Sequence, residues 1–229
     1  MAPITVIIPT LNVADRIGPC LGAVGEALFS GLLRDVILAD GGSTDAIADI
    51  ADGTGATLVA APKGRGSQLA AGADAAQGDW FLFLHADTVL GEGWAWHVQN
   101  HISDHSGKAA FFRLKFRSGH WAARPVAGWA NFRARTFGLP FGDQGLLVSR
   151  TAYTAAGGYP AVPLMEDVML SRRLARGPGL RMLQTTAETS ADRYEANGWL
   201  RQGFSNIKLQ IRFAMGAKPE DLANRYNRS

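Results

Sequence analysis

The chain reads as an α/β protein built on a doubly wound, mainly parallel sheet with a helical C-terminal segment. Three observations carry that reading. The run Trp80 to Leu84 is five consecutive apolar residues, too short for a helix of its own and rich in aromatics, which describes a strand buried on both faces. Four such strand-length runs alternate with helical patterns over the first ninety residues, the signature of a parallel crossover sheet. Each run ends in polar or glycine-rich residues, and in open α/β sheets ligands sit beyond the carboxyl ends of the strands.

The elements follow in order. Ile4 to Ile8 is β-branched and closed by Pro9-Thr10, a first buried strand. Asn12 is placed to cap a helix whose buried face carries Ile17, Leu21, Val24 and Leu28. Asp35 to Asp40 is a second strand, turning through Gly41 to Asp45 into a helix carrying Ile47 and Ile50. Thr57 to Ala61 is a third, and the basic, glycine-rich stretch Pro62 to Ser67 leads into an alanine-rich helix ending near Gly78. The fourth strand runs into His85-Ala86-Asp87. Beyond it the pattern predicts a helix over Gly93–Ser103, a strand over Ala109–Arg117, a strand closing Phe141–Ser149 and a helix over Met165–Arg176. Glu166 and Asp167 put two carboxylates at the positive end of that last helix. Trp121 to Phe137 mixes aromatics with Arg124, Arg133 and Arg135, and Leu200 to Met215 is amphipathic.

Composition narrows the function classes. The 229 residues carry no low-complexity run, linker or repeat and are 47% apolar, which favours one domain with a full core. A net charge of +3 without a Lys/Arg run suits an anionic small molecule or a membrane surface and argues against nucleic acid. The single Cys20 excludes an internal disulfide framework and fits a reducing cytoplasm. No signal peptide is expected at the start, and no run is long enough to span a bilayer.

The strand ends nominate the chemistry. Asp40, at a strand end, is placed either to accept hydrogen bonds from a base or ribose or to serve the structure alone, and Asp45 either to touch a ligand or to cap the following helix. Asp87 stands apart, because Mg²⁺ or Mn²⁺ takes only one or two protein carboxylates and completes its shell with water and substrate phosphates. His85 is either a second ligand or a hydrogen-bonded structural residue. The Lys63–Ser67 loop can cradle phosphates through backbone N–H groups and Arg65. It is not a P-loop, and no dinucleotide fingerprint follows the first strand.

Six blocks in order, ITVIIPTLN, ILADGGSTD, APKGRGSQLAAG, GDWFLFLHADT, GDQGLLVSR and PLMEDVMLSRRL, resemble the family 2 glycosyltransferases, and more narrowly a bacterial subgroup of radical-SAM/selenodomain-associated transferases. The resemblance runs from about Ile4 to Arg225. It implies the GT-A, Rossmann-like fold over residues 1–229, with a nucleotide-binding half (1–90), an acceptor and catalytic half (91–195) and C-terminal helices (196–229). It also implies a nucleotide-diphosphate sugar donor, a divalent cation (Mn or Mg) and direct displacement with inversion. By position, Pro9, Thr10, Asn12 and Asp40 would line the nucleoside pocket, Gly42, Ser43 and Asp45 its edge, and Lys63, Arg65 and Gln68 the base and diphosphate. Asp87 matches the last acid of the family's DxD motif, here His85-Ala86-Asp87, and is the implied metal ligand. Asp167, or else Glu166, matches the pair that includes the catalytic base. Gly142-Asp143-Gln144 matches a block near the acceptor, and Arg193 is placed to add positive charge near the leaving group. Two positions depart from the family: Val13 stands where a Glu is usual, with Asp15 two residues on, and His85 replaces the first DxD acid.

The resemblance leaves the sugar, the nucleotide and the acceptor unnamed. Segments 121–137 and 200–215 are expected to pack into the core, or to form an acceptor wall, a homodimer contact or a peripheral face at the inner membrane. The rival functions are a nucleotidyltransferase making sugar nucleotides and a non-catalytic nucleotide-sugar-binding protein. The first lacks its basic, glycine-rich loop after strand one. The second has no need of Glu166-Asp167.

Overall fold

The computed structural model describes residues 3–226, so the first two and last three positions of the chain lie outside the described residues. In chain order the elements are β1 (Ile4–Thr10), α1 (Gly18–Val24), α2 (Glu26–Phe29), β2 (Leu33–Asp40), α3 (Ile47–Thr54), β3 (Thr57–Ala60), α4 (Arg65–Ala75) and β4 (Trp80–Phe83). There follow β5 (Val89–Leu90), α5 (Trp94–Asp104), β6 (Ala109–Phe116), α6 (Ala123–Phe137), a 3-10 turn (Gly142–Gln144), β7 (Leu146–Ser149) and α7 (Arg150–Ala155). The last elements are α8 (Glu166–Arg176), β8 (Leu180–Thr189), α9 (Asp192–Asn197), α10 (Trp199–Ala214) and α11 (Pro219–Tyr226).

The sheet has eight strands in the order β3-β2-β1-β4-β7-β6-β8-β5. β3, β2, β1 and β4 are mutually parallel. β7 runs antiparallel to both β4 and β6, and β8 is parallel to β6. The carboxyl ends of β1, β2, β4, β6 and β8 therefore share one edge with the amino end of β7. Every candidate residue beyond a strand end is delivered to that edge.

Alternation sorts the central strands into two cores, as period-two side chains require. Val6, Ile8, Trp80 and Leu82 join one apolar cluster, while Ile7, Phe81 and Phe83 join the other on the opposite face. α4 lies so close to β1 that a Cβ on Gly72 would sit 2.4 Å from Ile7 Cγ2. Only glycine allows that approach, which lays the second half of α4 directly on β1 and β2.

Three expectations need correction. Asn12 caps no helix: α1 begins at Gly18 with Pro19 in its first turn, and Asn12 has a positive φ of 51° while its side chain holds another loop. Leu28 lies on no buried face, because the chain turns at Gly25 between α1 and α2 and leaves Leu28 65% exposed. Segments 121–137 and 200–215 are only half accounted for by core packing. Ala123, Ala127, Ala130 and Trp199 cluster with Leu114 and Phe116 of β6, while Trp121, Trp129, Phe132, Phe137, Leu200, Phe204, Ile211 and Met215 face solvent.

Candidate active site

The loops after β1 and β2 interlock. Asn12 N–H donates to Ser43 Oγ at 2.8 Å, and Thr44 N–H donates back to Asn12 Oδ1 at 2.9 Å. Ala14 N–H donates to Asp45 Oδ2 at 2.8 Å, and Ile47 N–H reaches Asp45 Oδ1 at 3.3 Å. Asp45 thus braces both the loop and the helix start. Asp40 accepts from Thr10 Oγ1 (2.9 Å), Ser43 Oγ (2.5 Å), and the N–H groups of Gly42 (2.9 Å) and Ser43 (2.8 Å). A carboxylate has about four acceptor positions, and here all four are taken. Burial pushes the Asp40 carboxyl up, but the bonds from Ser43, Thr10 and Gly42 outweigh it and hold the group below its ordinary range. Pro9, Thr10, Asn12, Asp40, Gly42 and Ser43 form one rigid wall.

The basic loop is shorter than its sequence suggests, since α4 starts at Arg65 and leaves Lys63 exposed before it. Gln68 is not an open ligand group. Its Nε2 donates to the carbonyls of Thr10 (2.7 Å) and Ala39 (2.9 Å), tying α4 to the ends of β1 and β2. Arg65 reaches across to Glu166 at 3.5 Å.

Beyond β4 the three residues of the DxD-like motif part ways. Ala86 turns into the core. His85 buries its ring: Nε2 has no hydrogen-bond partner, and a Cβ on Gly142 would stand 2.4 Å from that atom. Burial, with Arg65 and Arg193 nearby, keeps the imidazole neutral by lowering its pKa well below the usual value. Asp87 opens onto a cleft of about 290 Å³ lined by Asp15, Arg16, Asp87, Arg117, Ser190 and Asp192. Arg117 Nη1 donates to the Asp87 carbonyl at 2.8 Å and the Glu188 carbonyl at 3.2 Å, and Thr189 Oγ1 makes a long bond of 3.4 Å to Asp87 Oδ2. Sequence reasoning overlooked Arg117, Thr189 and Arg16. Arg117 had a signal, as the first polar residue beyond an alternating strand at the ligand edge.

The residues fit a cation of one kind only. Among the described residues no three His, Cys, Asp or Glu side chains converge to hold a metal ion, so there is no closed protein cage. A cleft whose carboxylates, Asp15, Asp87 and Asp192, line it without converging fits Mg²⁺ or Mn²⁺ carried in with phosphate oxygens.

The acceptor-side block meets the acidic helix. Gly142 N–H donates to Asp167 Oδ2 at 2.9 Å, and Asp167 Oδ1 accepts from Val168 N–H at 2.7 Å. Met165, just before the pair, holds a positive φ of 68°, a strained geometry of the kind that clusters at functional sites. Glu166 is 1% exposed. Burial and the neighbouring Asp167 push its carboxyl up to about 7 against the pull of Arg65. Asp143 lies between the two halves, with Oδ1 buried and unpartnered. Burial raises it to about 6; Arg133 and Arg65 pull it down, while Asp167 and Asp87 push it up. Gln144 is not acceptor-facing. It is fully buried, its Nε2 donating to Phe112 O (3.3 Å) and Asn131 Oδ1 (3.2 Å). Arg193 stands exposed beyond β8, close enough to act on His85.

The sheet edge thus carries two interlocked loops, a cleft bordered by Asp87 and an acidic pair, and the family comparison says what class of protein is built this way. The model of glycosyl transferase family 2 matches residues 5–155, and the chain belongs to that family. It is 37% identical over 95 residues to PGL/p-HBAD biosynthesis glycosyltransferases of Mycobacterium bovis and Mycobacterium tuberculosis, an alignment covering 38% of this chain and 36% of theirs. The matched part thus spans about a third of those relatives. Among solved structures it resembles S. aureus TarS 1–349 in complex with UDP-GlcNAc, with a TM-score of 0.61 and 15% identity over 82% of this chain and 58% of that one. It also resembles M. tuberculosis glucosyl-3-phosphoglycerate synthase in complex with Mn²⁺, UDP and glucosyl-3-phosphoglycerate, with a TM-score of 0.57 and 20% identity over 82% and 70%. At those identities the likeness is one of fold, a GT-A-like α/β sheet.

Proposed function

We propose that the chain transfers a sugar from a nucleoside-diphosphate donor, UDP-linked by analogy with its structural neighbours, to an acceptor hydroxyl with inversion. The subgroup of radical-SAM/selenodomain-associated transferases remains the nearest reading of the six sequence blocks. The observation that supports the proposal is the bond from Gly142 to Asp167, beside Asp143, whose carboxyl feels both Asp167 and Asp87. In the reaction the acceptor oxygen bonds to the anomeric carbon as the bond to the diphosphate oxygen breaks. The electron pair leaves with the diphosphate, and the acceptor proton passes to Asp167.

Asp87 would hold the cation, which would supply positive charge for the leaving diphosphate. Arg16, Arg117 and Arg193 add charge of the same sign from around the cleft. Asp167 is the better base by placement, since Glu166 is buried and committed to Arg65. One observation favours the reverse assignment: a carboxyl near 7 suits proton transfer at neutral pH. The nucleotidyltransferase reading loses ground because no basic, glycine-rich loop follows β1. A mere binding module has no use for the acidic pair.

The test is thermal unfolding with nucleoside diphosphates and nucleotide sugars, with and without Mn²⁺. Ligand that binds only the folded chain stabilises it by about 2.7 kcal/mol at a hundredfold excess over Kd. An unmoved transition with every nucleotide at millimolar concentration refutes the donor site.

A further inference from the structure

The exposed side chains of α10 fall into one stripe. Leu200, Phe204, Lys208, Ile211 and Met215 are spaced four, four, three and four residues apart, so they align along a single face of the helix. All five are exposed, Phe204 to 70% and Met215 to 75%. The opposite side is fixed to the protein: Trp199 packs with α6 and β6, and Leu209 packs with Met165 and Val168 around the start of α8. The neighbouring α6 repeats the pattern. Its inner face is alanine, and Trp121 (72% exposed), Trp129, Phe132 and Phe137 point outward.

Charge sharpens the picture. Residues 118–142 and 196–219 contain none of the chain's 20 Asp and Glu but seven of its 23 Lys and Arg: Arg124, Arg133, Arg135, Arg201, Lys208, Arg212 and Lys218. The remaining 16 basic residues face all 20 acids, so the rest of the chain is net acidic while these two segments carry only basic charge; Glu195, which accepts from Ser118 Oγ, and Glu220-Asp221 stand at their ends. Only Arg133 turns inward, onto the Phe141 ring. Exposed aromatic and aliphatic side chains set among an excess of cations complement an anionic lipid surface. Lys208 inside the stripe reaches the headgroups by extending its stem.

We propose that the outer faces of α10 and α6 dock on an anionic lipid bilayer, with the apolar stripe inserted at the headgroup boundary and the basic residues on the phosphates. α10 would lie flat as an interfacial helix of about 24 Å. It does not span: among the described residues no helix is long and apolar enough to cross a membrane. The inference stands whether or not the donor site is correctly read, because it rests on surface chemistry alone.

Flotation of the full chain with phosphatidylcholine vesicles, with and without phosphatidylglycerol, tests it. Binding is expected with phosphatidylglycerol at about 0.1 M salt and strongly reduced near 1 M, as the screening length falls from about 10 Å to about 3 Å. Arg201→Gln with Lys208→Gln should weaken partition about fivefold per residue, equivalent to the ~1 kcal/mol each basic side chain contributes at an anionic surface. Phe204→Ser with Ile211→Ser should abolish insertion. These positions are exposed, so circular-dichroism melting should match the parent. A readout without mutation is quenching of the parent's tryptophan fluorescence by lipids brominated in their acyl chains. No flotation with phosphatidylglycerol at low salt overturns the proposal, as does flotation that both double variants retain. A concentration-dependent dimer lost in Phe204→Ser/Ile211→Ser, without vesicle binding, overturns it too and gives the face to a second copy of the chain.

Discussion

The backbone N–H of Gly142 donates to Asp167 Oδ2 at 2.9 Å, joining the turn before β7 to the first turn of α8. That bond leaves Asp167 oriented and partly open, while Glu166, one residue earlier, is buried against Arg65. Adjacent helical side chains diverge by about 100°, so the two acids serve different partners. Asp167→Asn is expected to lower kcat by about 10²- to 10⁴-fold, the usual cost of a lost base, with nucleotide affinity unchanged. Glu166→Gln should leave turnover closer to the parent. Single-turnover rates and nucleotide titrations of both variants decide it, and a greater loss in Glu166→Gln reverses the assignment.

Asp87→Asn removes a charge with almost no change of shape. Thermal shift by a nucleoside diphosphate should persist, and the extra shift on adding Mn²⁺ or Mg²⁺ should vanish. A variant whose metal response equals the parent's places the cation elsewhere.

Asp143 should make stability depend on pH. Its folded-state carboxyl is raised from 3.8 to about 6, so the folded chain holds the proton more tightly than the unfolded one. The resulting stability is fully present below about pH 4 and is lost as pH rises through about 6. Asp143→Asn removes its share of the dependence and leaves that of Glu166, raised to about 7. The variant's unfolding free energy should match the parent's at low pH and exceed it at pH 8, by an amount on the order of 1–3 kcal/mol. Urea melts at both pH values measure it, and a variant less stable than its parent at pH 8 contradicts this account. A gain in stability at the cost of turnover would mark Asp143 as a residue retained for function.

Gln68→Met keeps the side-chain volume and deletes the donor that serves Thr10 and Ala39. Thr10 O keeps its bond from Gly41 N–H, but losing both amide bonds should cost about 1–3 kcal/mol, visible as a melting temperature several degrees lower, and nucleotide should bind more weakly because the β1 and β2 ends lose their tie. An unchanged melting temperature would show that water replaces the amide.

Much of the donor half was legible because its physics is local. Val6 and Ile8 on one face and Ile7 on the other need apolar residues at every position, so unbroken runs identified the central strands. Polar residues at the ends of those runs marked Asp40 and Asp87. What hid was decided at a distance. Nothing near Asn12 reveals that its side chain would hook Thr44, 32 residues on. Gln68 and Gln144 look like ligand groups until the backbone carbonyls that claim them arrive from other strands. β8 went unread because its sequence LRMLQTTAET alternates with few strong apolar residues, and β7's direction is a property of its neighbours. The outward aromatics of α6 and α10 were visible, but which of them the core would claim was not.

Because β7 runs against both neighbours, the chain enters it, rather than leaves it, at the ligand edge. The segment between β6 and β7 is thereby free to change length or sequence without disturbing the hydrogen-bond ladder that aligns β1, β2 and β4. Outside the anchors at Arg117, Asn131 and Gly142, a change in that segment leaves the pairing of β1, β2 and β4 in place. One reversed strand thus makes the two halves of the site separately replaceable.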